Sequence, residues 1–101
     1  MIYEVAEIKV RAGTEALFEE GVANAAPLFL RAEGCNGVSL HRVVEHPETY
    51  RLVVEWDTLD NHLVDFRGSE DFQEWRRLVG AYFEAPPLVT HSEVTASYSK
   101  R

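Results

Sequence analysis

The chain has 101 residues and a single cysteine, Cys35. One thiol cannot form an intrachain disulfide or build a cysteine metal cluster. It fits a reducing compartment, and we expect a cytoplasmic protein. Basic residues are also scarce. Ten Lys and Arg stand against 17 Asp and Glu, a formal net charge of −7. A chain of that sign lacks the cationic footprint that nucleic acid and anionic membranes require, so neither is expected as a partner. No apolar run reaches membrane-spanning length. The first residues, MIYEVAEIKV, lack the basic segment and apolar stretch of a signal peptide. The four histidines show no His-x-x-x-His spacing, and we expect no metal site. Gly34 and Gly37 make no phosphate-cradling loop. Cys35 has no neighbouring base that would turn it into a nucleophile. With no internal linker or low-complexity stretch, the chain reads as one domain over 1–101, with about 96–101 a frayed tail.

What is present is a regular exchange of strand and helix patterns. Over 2–10, Ile2, Glu4, Ala6, Ile8 and Val10 fall on one face and Tyr3, Val5, Glu7 and Lys9 on the other, the period of a strand. Gly13 supplies a turn, and Thr14 can cap a helix whose first turn holds Glu15. From 14 to about 33, Leu17, Phe18, Gly21, Val22, Ala25, Leu28 and Phe29 recur at three and four residues, one buried helical face. Pro27 predicts a kink or break, and Gly34 suits the position past the helix end. Residues 38–45 and 50–57 read as an antiparallel hairpin turned by HPET, with Tyr50, Leu52, Val54 and Trp56 on one face. A short helix is expected over 59–66, capped by Thr58 or Asp57 and ended near Gly68. A second segment starts at Ser69, carries Phe72, Trp75, Leu78, Val79 and Tyr82, and stops at Pro86 and Pro87. Residues 88–95 alternate again as a last strand. The order β-α-β-β-α-β is an α+β, ferredoxin-like plan: a four-stranded antiparallel sheet with helices on one face. The other face would stay open. Its simplest cover is the same face of a second copy, a homodimer.

The chemistry concentrates between Trp56 and His91. His62 titrates near neutrality when unperturbed and can take a proton from an acidic hydroxyl; it can equally be a helix-packing histidine. Arg67 can meet helix-end carbonyls or hold a substrate oxyanion. Of Arg76 and Arg77, one is expected to pair with Glu74 or Asp71. The other either enters a pocket or pairs with Glu55 or Glu7. Trp56 and Trp75 are flat walls or plain core. His91 and His41 can join a pocket, with sheet or dimer packing the default for both.

These residues carry a resemblance. Trp56 ends the third strand, and a helix with His62 and Leu63 follows it. Phe66-Arg67, Ser69, Phe72, Trp75-Arg76, Pro86-Pro87 and His91 come next, after Gly34-Cys35, Gly37 and Arg42 in the first half. In this the chain resembles the antibiotic biosynthesis monooxygenase domain family, within the dimeric α+β barrel superfamily. The resemblance implies a ferredoxin-like subunit, a homodimer formed through the sheets, and a pocket between sheet and helices. Relatives include oxygenases that need no metal or flavin and act on polyphenolic or quinol substrates. The implied function is a cofactor-independent monooxygenase oxidising a small electron-rich aromatic of quinol, anthrone or polyphenol type, with O2 as co-substrate. His62 would be the base and Arg67 the anion holder. Trp56, Phe66, Trp75, Arg76, Phe83 and His91 would bind substrate. The alternatives are a non-catalytic small-molecule-binding or dimerisation domain, and a haem-degrading protein. The last type uses an Asn in the first strand, which this chain lacks.

Overall fold

Alternation along the first strand decides which way the sheet faces. In the computed structural model, which describes residues 1–100, strand β1 (Ile2–Lys9) turns Glu4, Ala6 and Ile8 to the buried side, and Val10 follows them just past its end. Helix α1 (Glu15–Leu30) buries Phe18, Gly21, Val22, Ala25, Leu28 and Phe29, the stripe read from spacing. Thr14 does not cap it. Its hydroxyl turns back to the Arg11 carbonyl (2.6 Å), and the Glu15 carboxylate accepts from the Gly13 N–H (2.8 Å) instead. The break expected at Pro27 does not occur either. Pro27 and Ala23 are both exposed, so the carbonyl that loses its partner faces water, while Leu28 and Phe29 hold the last turn against the core. Gly34 then turns the chain with φ +80°.

Strand β2 (Cys35–Arg42) lies three residues earlier than its pattern suggested, and β3 (Thr49–Trp56) one residue earlier. Mixed polarity on both faces left that register open. The segment expected as an ordinary helix is a six-residue π-helical turn, Asn61–Phe66, and Arg67 N–H closes it onto the His62 carbonyl at 3.1 Å. Thr58 caps this region: its hydroxyl accepts from Asn61 N–H (3.2 Å), and the Asn61 side chain accepts from Thr58 N–H (3.0 Å). Helix α2 (Glu70–Val79) starts on Ser69, whose hydroxyl accepts from Phe72 N–H (3.1 Å). A 3-10 turn, Gly80–Tyr82, leads out of it, and strand β4 (Leu88–Ser92) ends three residues before expected. Residues 93–100 carry no regular element, and residue 101 of the expected tail lies outside the described residues.

The sheet order is β2-β3-β1-β4, every neighbour antiparallel, so the fold is ferredoxin-like α+β. Val54, Trp56, Phe18 and Val79 are fully buried between the sheet and the helices. Each such side chain stabilises the fold by roughly 1.5–3 kcal/mol. Aromatic rings chain the layers together: Trp56 to Phe66 (5.6 Å between centroids), Phe66 to Phe29 (4.8 Å) and Phe29 to Trp75 (5.0 Å). Among the described residues no helix covers the far face of the sheet. Tyr3, Val5 and Val53 are only half-buried there, and Leu88 is exposed. Among the described residues no helix is long and apolar enough to cross a membrane.

Candidate functional site

Between the sheet and the helices lies a cavity of about 490 Å³. That is within the range of small-molecule sites. Ala6, Ile8, Leu52 and Val89 supply its sheet side, and Phe29, Phe66, Phe72 and Trp75 its helical side. The segment 83–87 closes one edge. It is held there by a bridge between Val10 and Phe83 and by Glu84 N–H donating to the Lys9 carbonyl (2.8 Å). Aromatic side chains therefore form walls around the cavity without filling it.

A polar cluster sits in the floor, and its centre is a residue that sequence reasoning passed over. Glu4 is 5% exposed, on the buried face of β1. Its Oε1 accepts from the indole Nε1–H of Trp56 (3.0 Å) and lies 3.3 Å from Nε2 of His62. The other ring nitrogen of His62, Nδ1, is 2.8 Å from Nε2 of His91. Strand register brings the group together, because Glu4 faces His91 across the β1–β4 ladder. The π-helical turn lowers His62 onto them and presents Phe66 to the same side. Trp56 backs the imidazole, ring stacked on ring at 5.7 Å and 15°.

Burial sets the charges. It raises the Glu4 carboxyl above its ordinary range, an effect partly offset by the Trp56 N–H and by Arg67. It pushes His62 down to about 4, and His91 and the Arg67 cation push the same way. His91 is lowered too, by burial and then by Arg67. Both rings are therefore uncharged at neutral pH, so one nitrogen of the His62–His91 contact donates and the other accepts.

Two guanidiniums, Arg67 and Arg76, reach the cavity without a hydrogen bond or ion pair among the described residues. The other arginines explain why. Arg77 pairs with Glu74 (2.7 Å), Arg31 with Asp71 (2.6 Å), and Arg51 takes Glu7 (3.3 Å). Arg76 is the member of its pair left facing the cavity. Cationic groups beside an apolar cavity suit a substrate that is anionic or becomes so.

Of the residues singled out from sequence, His62, Phe66, Arg67, Trp75, Arg76 and Phe83 line the cavity. Trp56 and His91 do not. Trp56 is fully buried behind Glu4 and His62, and His91 touches His62 from outside the lining. His41 is exposed on β2, within 3.3 Å of the Ser39 hydroxyl. Burial raises the Cys35 thiol, which keeps it a poor nucleophile. The signal for Glu4 was present all along: it is the one charged side chain on an otherwise apolar strand face. Among the described residues no group of three or more His, Cys, Asp or Glu is placed to hold a metal ion.

Comparison with known proteins agrees with this architecture. The sequence pattern of the family described as "Antibiotic biosynthesis monooxygenase" matches residues 1–78. A Bordetella bronchiseptica protein of known structure, described as a candidate antibiotic biosynthesis monooxygenase, is 59% identical. It superposes with a TM-score of 0.93 over 94% of this chain and 97% of its own. The uncharacterised protein YczJ of Bacillus subtilis (strain 168) is 36% identical over 90% of this chain and 96% of its own length. A Caulobacter crescentus structure at 21% identity shares the fold, with a TM-score of 0.81 over 94% of this chain and 90% of that one. The chain belongs to the antibiotic biosynthesis monooxygenase family.

Proposed function

We propose that this protein is a monooxygenase of the antibiotic biosynthesis type that oxidises a small electron-rich hydroxyaromatic, of quinol, anthrone or polyphenol class, inside the cavity. The substrate itself supplies the electrons. It must therefore lose a proton, because a phenolate or enolate passes an electron to O2 far more readily than the neutral hydroxyl compound does. One oxygen atom then enters the product, and the other leaves as water. The observation that carries the reading is the pairing of an aromatic-walled cavity with a buried imidazole–carboxyl cluster in its floor and unpaired guanidiniums at its edge.

Each group has a role that its surroundings favour. The proton is drawn off at the His62 centre. Arg67 and Arg76, both exposed at the cavity edge, hold the anion that results. Phe66, Trp75 and Phe83 clamp the flat ring, and Trp56 and His91 fix the His62 imidazole. The same reading has two copies joined through the uncovered sheet face.

The test is oxygen consumption by metal-free protein offered quinols, anthrones and flavonoid-like phenols. Uptake above autoxidation that is lost in His62→Ala supports the reading. Uptake unchanged in both His62→Ala and Arg67→Ala sinks it.

A further inference from the structure

We infer that Glu4 is the catalytic group that receives the substrate proton, at its Oε2, and that His62 and His91 form the path by which a proton leaves the cavity floor. The inference rests on the monooxygenase reading for its substrate and on geometry for its path. His62 borders the cavity; its Nδ1 is hydrogen-bonded with His91 at 2.8 Å, and its Nε2 lies 3.3 Å from Glu4 Oε1, a contact that must tighten before a proton can pass. Nδ1 is therefore closed to a substrate hydroxyl, and Nε2 faces the Glu4 carboxyl. Glu4 is differently placed. Its Oε1 makes both protein contacts, to Trp56 and His62. Oε2 has none, and no buried side-chain polar atom among the described residues is left without a partner, so Oε2 opens on the cavity that Glu4 lines. By the same logic Nδ1 of the half-buried His91, which is not part of the lining, opens to water.

The transfer can proceed without creating a buried charge on the protein. The path requires a resting Glu4 that is protonated, on Oε1 toward Nε2 of His62, and burial favours that neutral form. His62 carries its proton on Nδ1, toward Nε2 of His91, and His91 carries its own on Nδ1. When the substrate hydroxyl gives its proton to Oε2, the Oε1 proton passes to His62 Nε2. The His62 Nδ1 proton passes to His91 Nε2, and the His91 Nδ1 proton goes to water. One O–H bond breaks in the substrate and one forms in water, and each protein group ends neutral. The negative charge stays on the substrate, beside Arg67. The charged or titratable groups facing Glu4 are His62 from the π-helical turn, His91 from β4, Arg67 beyond that turn and Cys35 from β2. Arg67 disfavours protonated imidazole at either histidine, so a proton arriving there is driven onward.

Glu4→Gln preserves shape and can still accept from Trp56, but it cannot relay a proton. With a turned-over substrate it should lower kcat by about 10²- to 10⁴-fold with little change in KM. His91→Ala should also lower kcat, and free imidazole should restore it; imidazole should not rescue Glu4→Gln. Wild-type turnover in Glu4→Gln, or in His91→Ala without imidazole, overturns the proposal. If wild-type protein consumes no oxygen with any phenol, the monooxygenase reading fails, and nitrogen NMR of the resting protein still decides the path. Neutral His62 protonated on Nδ1, with a carboxylic acid infrared band that Glu4→Gln removes, supports it. Neutral His62 protonated on Nε2, or no such band, makes Glu4 an orienting carboxylate and overturns it.

Discussion

His62 carries a cost that shows as pH dependence. Its folded pKa of about 4 lies below the ordinary 6.5, so between those values the unfolded chain binds a proton that the native state does not. Stability therefore falls as pH drops through that window, by on the order of 2–3 kcal/mol at full protonation of the unfolded state. Lowered His91 acts in the same direction. Raised Glu4 opposes them, since its contribution is present below about 4.5 and is lost as pH climbs. Glu4→Gln should uncover the histidine slope in denaturant melts taken across this range, and adding His62→Gln should flatten it. An unchanged slope in the double variant would refute the assignment. Arg67 offers a second check at this scale. Arg67→Ala should raise the pKa of both His62 and His91 in an NMR titration, because one nearby cation depresses both. From sequence, His62 and Arg67 stood out by residue type, and Glu4 by its misplaced charge. Their connection did not, because it depends on a strand register 29 residues downstream of His62.

Among the elements, the turn that delivers His62 depends on two glycines. Gly34 has φ +80°, and a Cβ there would lie 2.1 Å from the Asn61 side-chain oxygen, the same oxygen that accepts from Thr58 N–H. Gly34→Ala should destabilise by about 1–2 kcal/mol from backbone strain alone, and should disturb the His62 turn as well. A thermal melt with the His62 NMR signal as reporter checks both. At Gly68 a Cβ would meet the Val64 carbonyl at 2.9 Å. Ser69→Ala removes the cap of α2 and should cost about 1 kcal/mol. The stripes of α1 and α2 and the inward face of β3 were legible because one polarity dominates each face. Register in β2 was not, because Ser39 and Leu40 alternate across two half-exposed sides. The π turn leaves no pattern of its own: five or six residues fit either winding.

As a whole molecule, the chain leaves its sheet open on one side. Tyr3, Val5, Val53 and Leu88 share that side, with the Arg51–Glu7 pair among them. This apolar strip is the surface through which the proposed homodimer would form. Light scattering should give twice the chain mass, and Val53→Lys should shift it to the single-chain value; a monomer in both would count against the pairing. The β-α-β-β-α-β order was readable because each element has its own period, and its topology allows few sheets. The measurement that most directly tests the monooxygenase account is mass analysis of product formed under isotopically labelled O2 by metal-free protein with a quinol or anthrone. The expected result is one labelled oxygen atom per product molecule, with the second label in water and the same product formed about 10²- to 10⁴-fold more slowly by Glu4→Gln. Unlabelled product accompanied by hydrogen peroxide would mean an oxidase, and would contradict the proposed reaction.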